Sequence, residues 1–261
     1  MTGEEIEFAN DYGERLSATR HRPALPSTRA VILGHCFTCS RHTRVLRQIS
    51  LGLVAEGFLV LRFDFSGNGQ SDGDFSHSTY SKQISEIRTA VRFLSSAERV
   101  SWVGLAGHSM GAMAGILAAP EIDSIGAVCG LAARSTVMKE QDLLSAAQMR
   151  ALEKTGRVGF VSRGRSLELT QEMFSDAARY DFEHAVRSLR QPVLLVHGDR
   201  DEIIPVEEAY RLQRYRPIGT KLVIIPGADH MFSGDEHRRM VTEVVVTWFK
   251  EQAVGRRGSE A

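Results

Sequence analysis

Three residues far apart in this sequence have side chains that together could perform nucleophilic catalysis: Ser109, Asp201 and His230. Ser109 lies within Gly107-His-Ser-Met-Gly111, a G-x-S-x-G pattern. Composition alone would produce about 0.2 such patterns in a chain of this length, so the pattern by itself decides little. Its setting decides more. An apolar run, Val100–Leu105, precedes it, and a run of small residues, Gly111-Ala-Met-Ala-Gly115, follows it. A strand turning sharply into a helix forces strained backbone angles on the serine, and small residues two before and two after it keep the turn free of clashes. Gly107 and Gly111 supply them, and Gly115 is expected to let the helix pack close to the sheet. The hydroxyl then stands above the strand ends, at a helix N-terminus that favours developing negative charge.

A serine hydroxyl needs a base to take its proton and a third group to orient that base. The run Val193–Val196 leads into His197-Gly-Asp-Arg-Asp201-Glu-Ile-Ile-Pro205. Asp201, further into the turn, is the expected orienting acid, and Asp199 is expected to be a turn carboxylate. The run Leu222–Ile225 leads into Pro226-Gly-Ala-Asp-His230. Of nine histidines, His230 alone sits in a glycine-containing loop between a late strand and the last helix, which makes it the expected base. Asp229 beside it reads as a loop cap. Acyl transfer also needs two donors for a developing oxyanion. The N–H of Met110 is one candidate. The N–H of Phe37, in Gly34-His-Cys-Phe-Thr-Cys39, is the other, with the Phe37 ring lining the pocket.

These loops must be held by a scaffold. The runs Ala30–Leu33, Phe58–Phe63, Val100–Leu105, Ile125–Cys129, Val193–Val196 and Leu222–Ile225 are continuous rather than alternating, as strands buried on both faces are. Helical stretches separate them: about 43–56, 79–95, 111–118, 206–215 and 236–251. The alternation predicts an α/β fold with a mostly parallel sheet and helices on both faces. Ile6–Ala9 and Arg15–His21 flank the turn sequence Asn10-Asp-Tyr-Gly13 and predict an antiparallel hairpin at the sheet edge. Residues 131–190 interrupt the rhythm. They predict a helix over Lys139–Lys154, a hairpin over Arg157–Leu169 turning at Gly164, and helix again after Thr170. An insertion here reads as a cap over the carboxyl edge of the sheet, where open α/β sheets bind ligands. Its Met138, Leu143, Met149, Phe160, Met173 and Phe174 are expected to shape an apolar pocket. The length of 261 residues suits one domain carrying that insertion. The segment from Val254 to Ala261 reads as a short polar tail.

Lys plus Arg and Asp plus Glu both number 32, so the net charge is zero and nothing calls for a nucleic-acid partner. The start of the sequence is acidic, and no apolar run reaches the ~18 residues of a membrane helix, so no membrane partner is expected and the setting reads as cytoplasmic. A homodimer is left open. Cys36, Cys39 and Cys129 do not read as a disulfide framework. Cys36-x-x-Cys39 lacks the second pair of a zinc site and the setting of a redox motif, so packed small thiols are the expectation. Residues 63–73 are glycine-rich without G-x-G-x-x-G spacing and read as a tight loop, not a phosphate cradle. Lys154, Arg157, Arg163 and Arg165 read as a solvated face of the cap that an acidic substrate could use.

Taken together, the His35-Cys-Phe loop, Arg62-Phe-Asp-Phe-Ser-Gly-Asn-Gly-Gln-Ser71, the Gly107–Gly111 turn, His197-Gly-Asp-Arg-Asp201 and Gly227-Ala-Asp-His230 resemble the α/β-hydrolase superfamily along nearly the whole chain. Within it the chain is similar to small bacterial esterases of the feruloyl type and to hydrolase modules associated with OsmC-type domains. The resemblance implies an α/β-hydrolase fold and hydrolysis of a small-molecule carboxylic ester through an acyl-enzyme, with no metal or organic cofactor required. Thioester or amide cleavage and acyl transfer use the same triad, and a ligand-binding protein can use the same fold. Dehalogenase and epoxide-hydrolase chemistry is disfavoured, because those relatives carry aspartate where Ser109 stands.

Overall fold

The computed structural model describes residues 3–254, so the expected polar tail from residue 255 onward lies outside the described residues. The chain opens with β1 (Glu4–Ala9) and β2 (Arg15–His21), an antiparallel hairpin in the register Glu4↔Arg20 to Ala9↔Arg15. Asn10 closes the turn: its side-chain oxygen accepts from the N–H groups of Tyr12 and Glu14, both at 2.9 Å. β2 then pairs antiparallel with β4 (Leu59–Phe63). From there the sheet is parallel. β4 pairs with β3 (Arg29–Gly34), β3 with β5 (Trp102–His108), β5 with β6 (Ile125–Leu131), β6 with β9 (Val193–Gly198), and β9 with β10 (Thr220–Ile225). The eight-stranded order is β1-β2-β4-β3-β5-β6-β9-β10.

The period of two along the strands divides the core. Val31 and Leu33 of β3, Val60 of β4, Ala106 of β5 and Cys129 of β6 face one side. They pack with α1 (Arg44–Ala55) and α8 (Asp235–Val254). Ala30, Ile32, Leu61, Leu105 and Val128 face the other, against α2 (Tyr80–Ala97) and α3 (Met110–Ala118). Every residue of β4, β5, β6 and β9 is buried. That is why those runs read as continuously apolar.

Between β6 and β9 lie α4 (Ala146–Thr155), the hairpin of β7 (Arg157–Ser162) and β8 (Arg165–Thr170), α5 (Gln171–Ala177) and α6 (Phe182–Ser188). The hairpin turns at Arg163 and Gly164, with φ of 51° and 74°, the left-handed pair that a two-residue turn demands. The expected helix from Lys139 is shorter in the structure. The Ser145 side chain accepts from the Gln148 N–H at 3.3 Å, and the Gln148 side chain accepts back from the Ser145 N–H at 3.1 Å. This capping box begins α4 at Ala146, and Glu140–Asp142 form only a single 3-10 turn. α7 (Glu207–Tyr215) follows β9.

The loop after β4 is built around one carboxylate. Asp64 is fully buried beside Arg41. It accepts from the Arg41 N–H at 2.5 Å, from the Gln70 N–H at 2.9 Å, and from the Arg41 guanidinium. Gly69, at φ 57°, closes over it: a Cβ there would stand 2.0 Å from an Asp64 carboxylate oxygen. Removing one member of a buried pair leaves the other charge uncompensated. Asp64→Ala is therefore expected to lower stability by about 3–5 kcal/mol, read as a shift of the urea midpoint at unchanged slope. A loss under 1 kcal/mol would show that Arg41 holds this loop by other means.

Candidate active site

Parallel pairing sets the carboxyl ends of the strands side by side. Gly34 of β3 pairs with Gly107 of β5, His108 with Leu131 of β6, and Gly198 of β9 with Ile225 of β10. The loops carrying Phe37, Ser109, Asp201 and His230 all leave that one edge. Ser109 has φ 55° and ψ −116°, and its N–H donates to the Leu131 carbonyl at 2.8 Å. A Cβ on Gly107 would lie 2.3 Å from the Gly111 backbone, and one on Gly111 2.5 Å from the His35 carbonyl oxygen. Neither position admits a side chain. Gly115 differs from expectation: a Cβ there would meet Leu105 at 3.9 Å, ordinary contact, so close packing of α3 does not require it.

Asp201 and His230, 29 residues apart, meet in the structure. His230 Nδ1 lies 2.8 Å from Asp201 Oδ2. The other carboxylate oxygen accepts the N–H groups of Ile203 at 2.9 Å and Ile204 at 2.8 Å. Burial pushes the Asp201 carboxyl up, but bonds from His197, His230 and Ile204 outweigh it and hold it well below the usual range. Asp199 instead accepts the Gly227 N–H at 2.6 Å and so ties this loop to the next, while Asp229 accepts from Ser233 N–H at 2.7 Å as a loop cap.

Two supporting histidines escaped the sequence reading. His197 Nε2 lies 2.8 Å from the Ile204 carbonyl and 3.3 Å from Asp201 Oδ2, bracing the acid. His108 Nε2–H donates to the His230 carbonyl at 2.8 Å, and the two rings lie 4.9 Å apart. Both lie within motifs already in view, but neither motif shows what the ring touches.

Ser109, His230, Met110 and Phe37 line one pocket of about 320 Å³. Met138, Leu143 and Phe160 from the segment after β6 line it too, with Tyr80, Met113, Ile203 and Ile204. Met149, Met173 and Phe174, expected there, are elsewhere: Met173 and Phe174 are buried in the core, and Met149 packs against it. An ion pair, Arg134–Asp142 at 3.0 Å, borders the pocket. Behind Phe37 the buried His35 ring acts as a strut. Its Nε2 accepts the Phe65 N–H at 3.0 Å, so its proton sits on Nδ1 and is donated to the Cys36 carbonyl at 2.7 Å. The Cys36 carbonyl also accepts the Cys39 N–H at 3.0 Å. Across a trans peptide, that orientation turns the Phe37 N–H away from His35. Cys36 and Cys39 are joined by a disulfide, not packed as separate thiols, because the turn brings their Cα atoms to 5.2 Å. Cys129 is free and buried.

Among the described residues no three His, Cys, Asp or Glu side chains gather as a metal site, and no helix is long and apolar enough to cross a membrane.

Burial, and the neighbouring charge of His230, push His108 down to about 3. Its unfolded-state value is near 6.5, so the unfolded chain takes up this proton first as pH falls. The stability His108 contributes is complete above pH ~6.5 and is lost progressively toward pH ~3, at about 1.4 kcal/mol per unit. Wild type is expected to lose stability between pH 6.5 and 5 more steeply than His108→Gln, measured by urea titration at each pH. Parallel profiles would show that His108 is not the group responsible.

The sequence profile of the alpha/beta hydrolase family matches residues 31–243. A monoacylglycerol lipase of Mycolicibacterium smegmatis is 23% identical, over 95% of this chain and 97% of that one. Two solved structures are each 28% identical over 95% of this chain. One is the esterase domain of a Rhodothermus marinus protein, with a TM-score of 0.75 over 98% of its length. The other is Est1E of Butyrivibrio proteoclasticus with ferulic acid bound, with a TM-score of 0.78 over 99% of its length. A profile match across that much of the chain, on a sheet of this topology, makes this chain a member of the alpha/beta hydrolase family.

Proposed function

We propose that this protein hydrolyses carboxylic esters through an acyl-enzyme on Ser109. The observation that carries the reading is the 2.8 Å contact of His230 with a hydrogen-bonded, buried Asp201, in a loop that brings His230 to the same pocket as the strained Ser109. Asp201 fixes His230 with its proton on Nδ1, leaving Nε2 as the acceptor for the Ser109 hydroxyl proton. The Ser109 oxygen attacks the ester carbonyl, and the N–H groups of Phe37 and Met110 receive the oxyanion. When the tetrahedral intermediate collapses, the alcohol departs with the proton held by His230. A water molecule then loses a proton to His230, attacks the acyl-enzyme and releases the carboxylic acid, restoring Ser109.

The apolar lining suits an uncharged acyl group of modest size, short-chain or aryl. The ferulic acid held by Est1E and the esterase and lipase names of the relatives support this. The segment from 132 to 192 acts in this reading as a cap that excludes water while the acyl-enzyme stands.

Intact-mass analysis after fluorophosphonate treatment is expected to show one adduct on wild type and none on Ser109→Ala. Ser109→Ala and Asp201→Asn are each expected to lower kcat on a butyrate ester by roughly 10³–10⁴ or more. Wild-type turnover by Ser109→Ala would end the acyl-enzyme reading. The Cys36–Cys39 bridge surrounds the Phe37 donor, and losing such a donor costs about 10²–10³ in rate. Cys36→Ser/Cys39→Ser, which loosens the donor without removing it, is expected to lower kcat roughly tenfold with KM little changed. An unchanged kcat would show that His35 alone suffices to aim it.

A further inference from the structure

A second cavity, of about 650 Å³, opens beside the first and shares Thr38 and Arg163 with it. Arg44, Arg163, Arg165 and Arg238 line it, and no Asp or Glu does. Acidic and basic residues are equal in number over the chain, so this local excess is a matter of placement. Some surface arginines elsewhere stand against carboxylates, as Arg157 does at 3.2 Å from Glu168 and Arg187 at 2.6 Å from Glu183. Arg238 too has a partner, in Asp235. The other three do not, among the described residues. Arg163 reaches the Met231 sulfur at 3.2 Å, Arg165 the Gly67 carbonyl at 3.2 Å, and Arg44 lines the cavity without an ion pair. Arg163 also holds φ 51°, a conformation that costs an arginine more than it would a glycine.

The field of α1 adds to this charge. Thr43 and Arg44, at its N-terminal end, line the same cavity, and this twelve-residue helix has neither an acidic residue in its first turn nor a side-chain cap bond. Its first N–H groups therefore lend partial positive charge to a space already lined by guanidinium groups.

Position then selects which half of a substrate would meet it. The leaving oxygen takes its proton from His230, so the alcohol half of an ester departs on the His230 side. Met231 and Ser233, just after His230, line the cationic cavity, whereas the apolar side chains line the other. We propose that this cavity is an anion subsite for the leaving group: the substrate is an ester of an apolar acid with an alcohol that carries a phosphate or carboxylate. Water and the ester give the acid and the anionic alcohol, with no further reactant. The inference rests on the ester-hydrolase reading.

The test compares phenyl butyrate with its 3-carboxyphenyl and 3-phosphonooxyphenyl counterparts. At low salt, wild type is expected to favour at least one anionic ester by roughly tenfold in kcat/KM, with the preference falling as salt rises. The better of the two identifies the anion. Arg44→Gln/Arg165→Gln, with an unchanged thermal midpoint, is expected to bring the ratio near one and leave phenyl butyrate turnover as it was. Equal rates on all three esters, or a preference that survives the double variant, would overturn the subsite. Failure to cleave any ester would instead fail the hydrolase reading. Calorimetry with phenyl phosphate then judges the subsite alone: binding by wild type that is lost in the double variant supports it, and no binding overturns it.

Discussion

The backbone at Ser109 is the constraint on which the rest depends. An L-residue at φ 55°, ψ −116° costs of order 1–3 kcal/mol and persists only when its surroundings over-determine it. Three features do so here. β5 is locked between β3 and β6, the Leu131 carbonyl takes the Ser109 N–H, and the missing side chains of Gly107 and Gly111 let β3, β5 and α3 approach within a distance no Cβ would allow. Each depends on the parallel sheet, so the core burial on both faces is what sustains the strain at its edge.

Around that turn the site is braced by neutral rings. His35 passes order from the Phe65 backbone to the Cys36 carbonyl, and His108 from the strand end to the His230 carbonyl. Burial lowers the proton affinity of both, which keeps each ring a fixed donor rather than a charge. A cation at His108 would compete for the carboxylate that holds His230. The one charge left in the network is Asp201, and its four hydrogen-bond partners come from two loops and one strand end.

How much of this was legible in the sequence follows the range of the interactions. The sheet was readable because strand burial is written in consecutive residues, and the hairpin of β7 and β8 because Gly164 marks its turn. That Ser109, Asp201 and His230 leave one edge of the sheet was readable because each lies in the segment that follows a strand. What escaped depends on contacts across the chain. His108 meets the backbone of a residue 122 positions away, and its motif gives no sign of that. The Cys36–Cys39 bridge depends on a turn held partly by His35, not on the C-x-x-C spacing. Met173 and Phe174 look like pocket residues by type, but α5 turns them into the core. Gly115 sits at the right interval for close packing, yet the sheet does not come close enough to need it.

The two cavities differ because one hairpin faces both. The segment between β6 and β9 presents Phe160 and Ser162 to the Ser109 pocket, then turns at Arg163 and Gly164 and presents Arg165 to the cavity beyond. One tight turn thus changes the chemistry of the surface within a few residues. The apolar side stabilises a group that has lost its water, while guanidinium groups exposed to solvent retain theirs until an anion replaces it. Thr38 and Arg163 lie at the boundary of these two environments, and Ser109 lines the apolar one. An ester placed across that boundary would have its uncharged half desolvated and its charged half still hydrated, which fixes the direction of the scissile bond before any catalytic group acts.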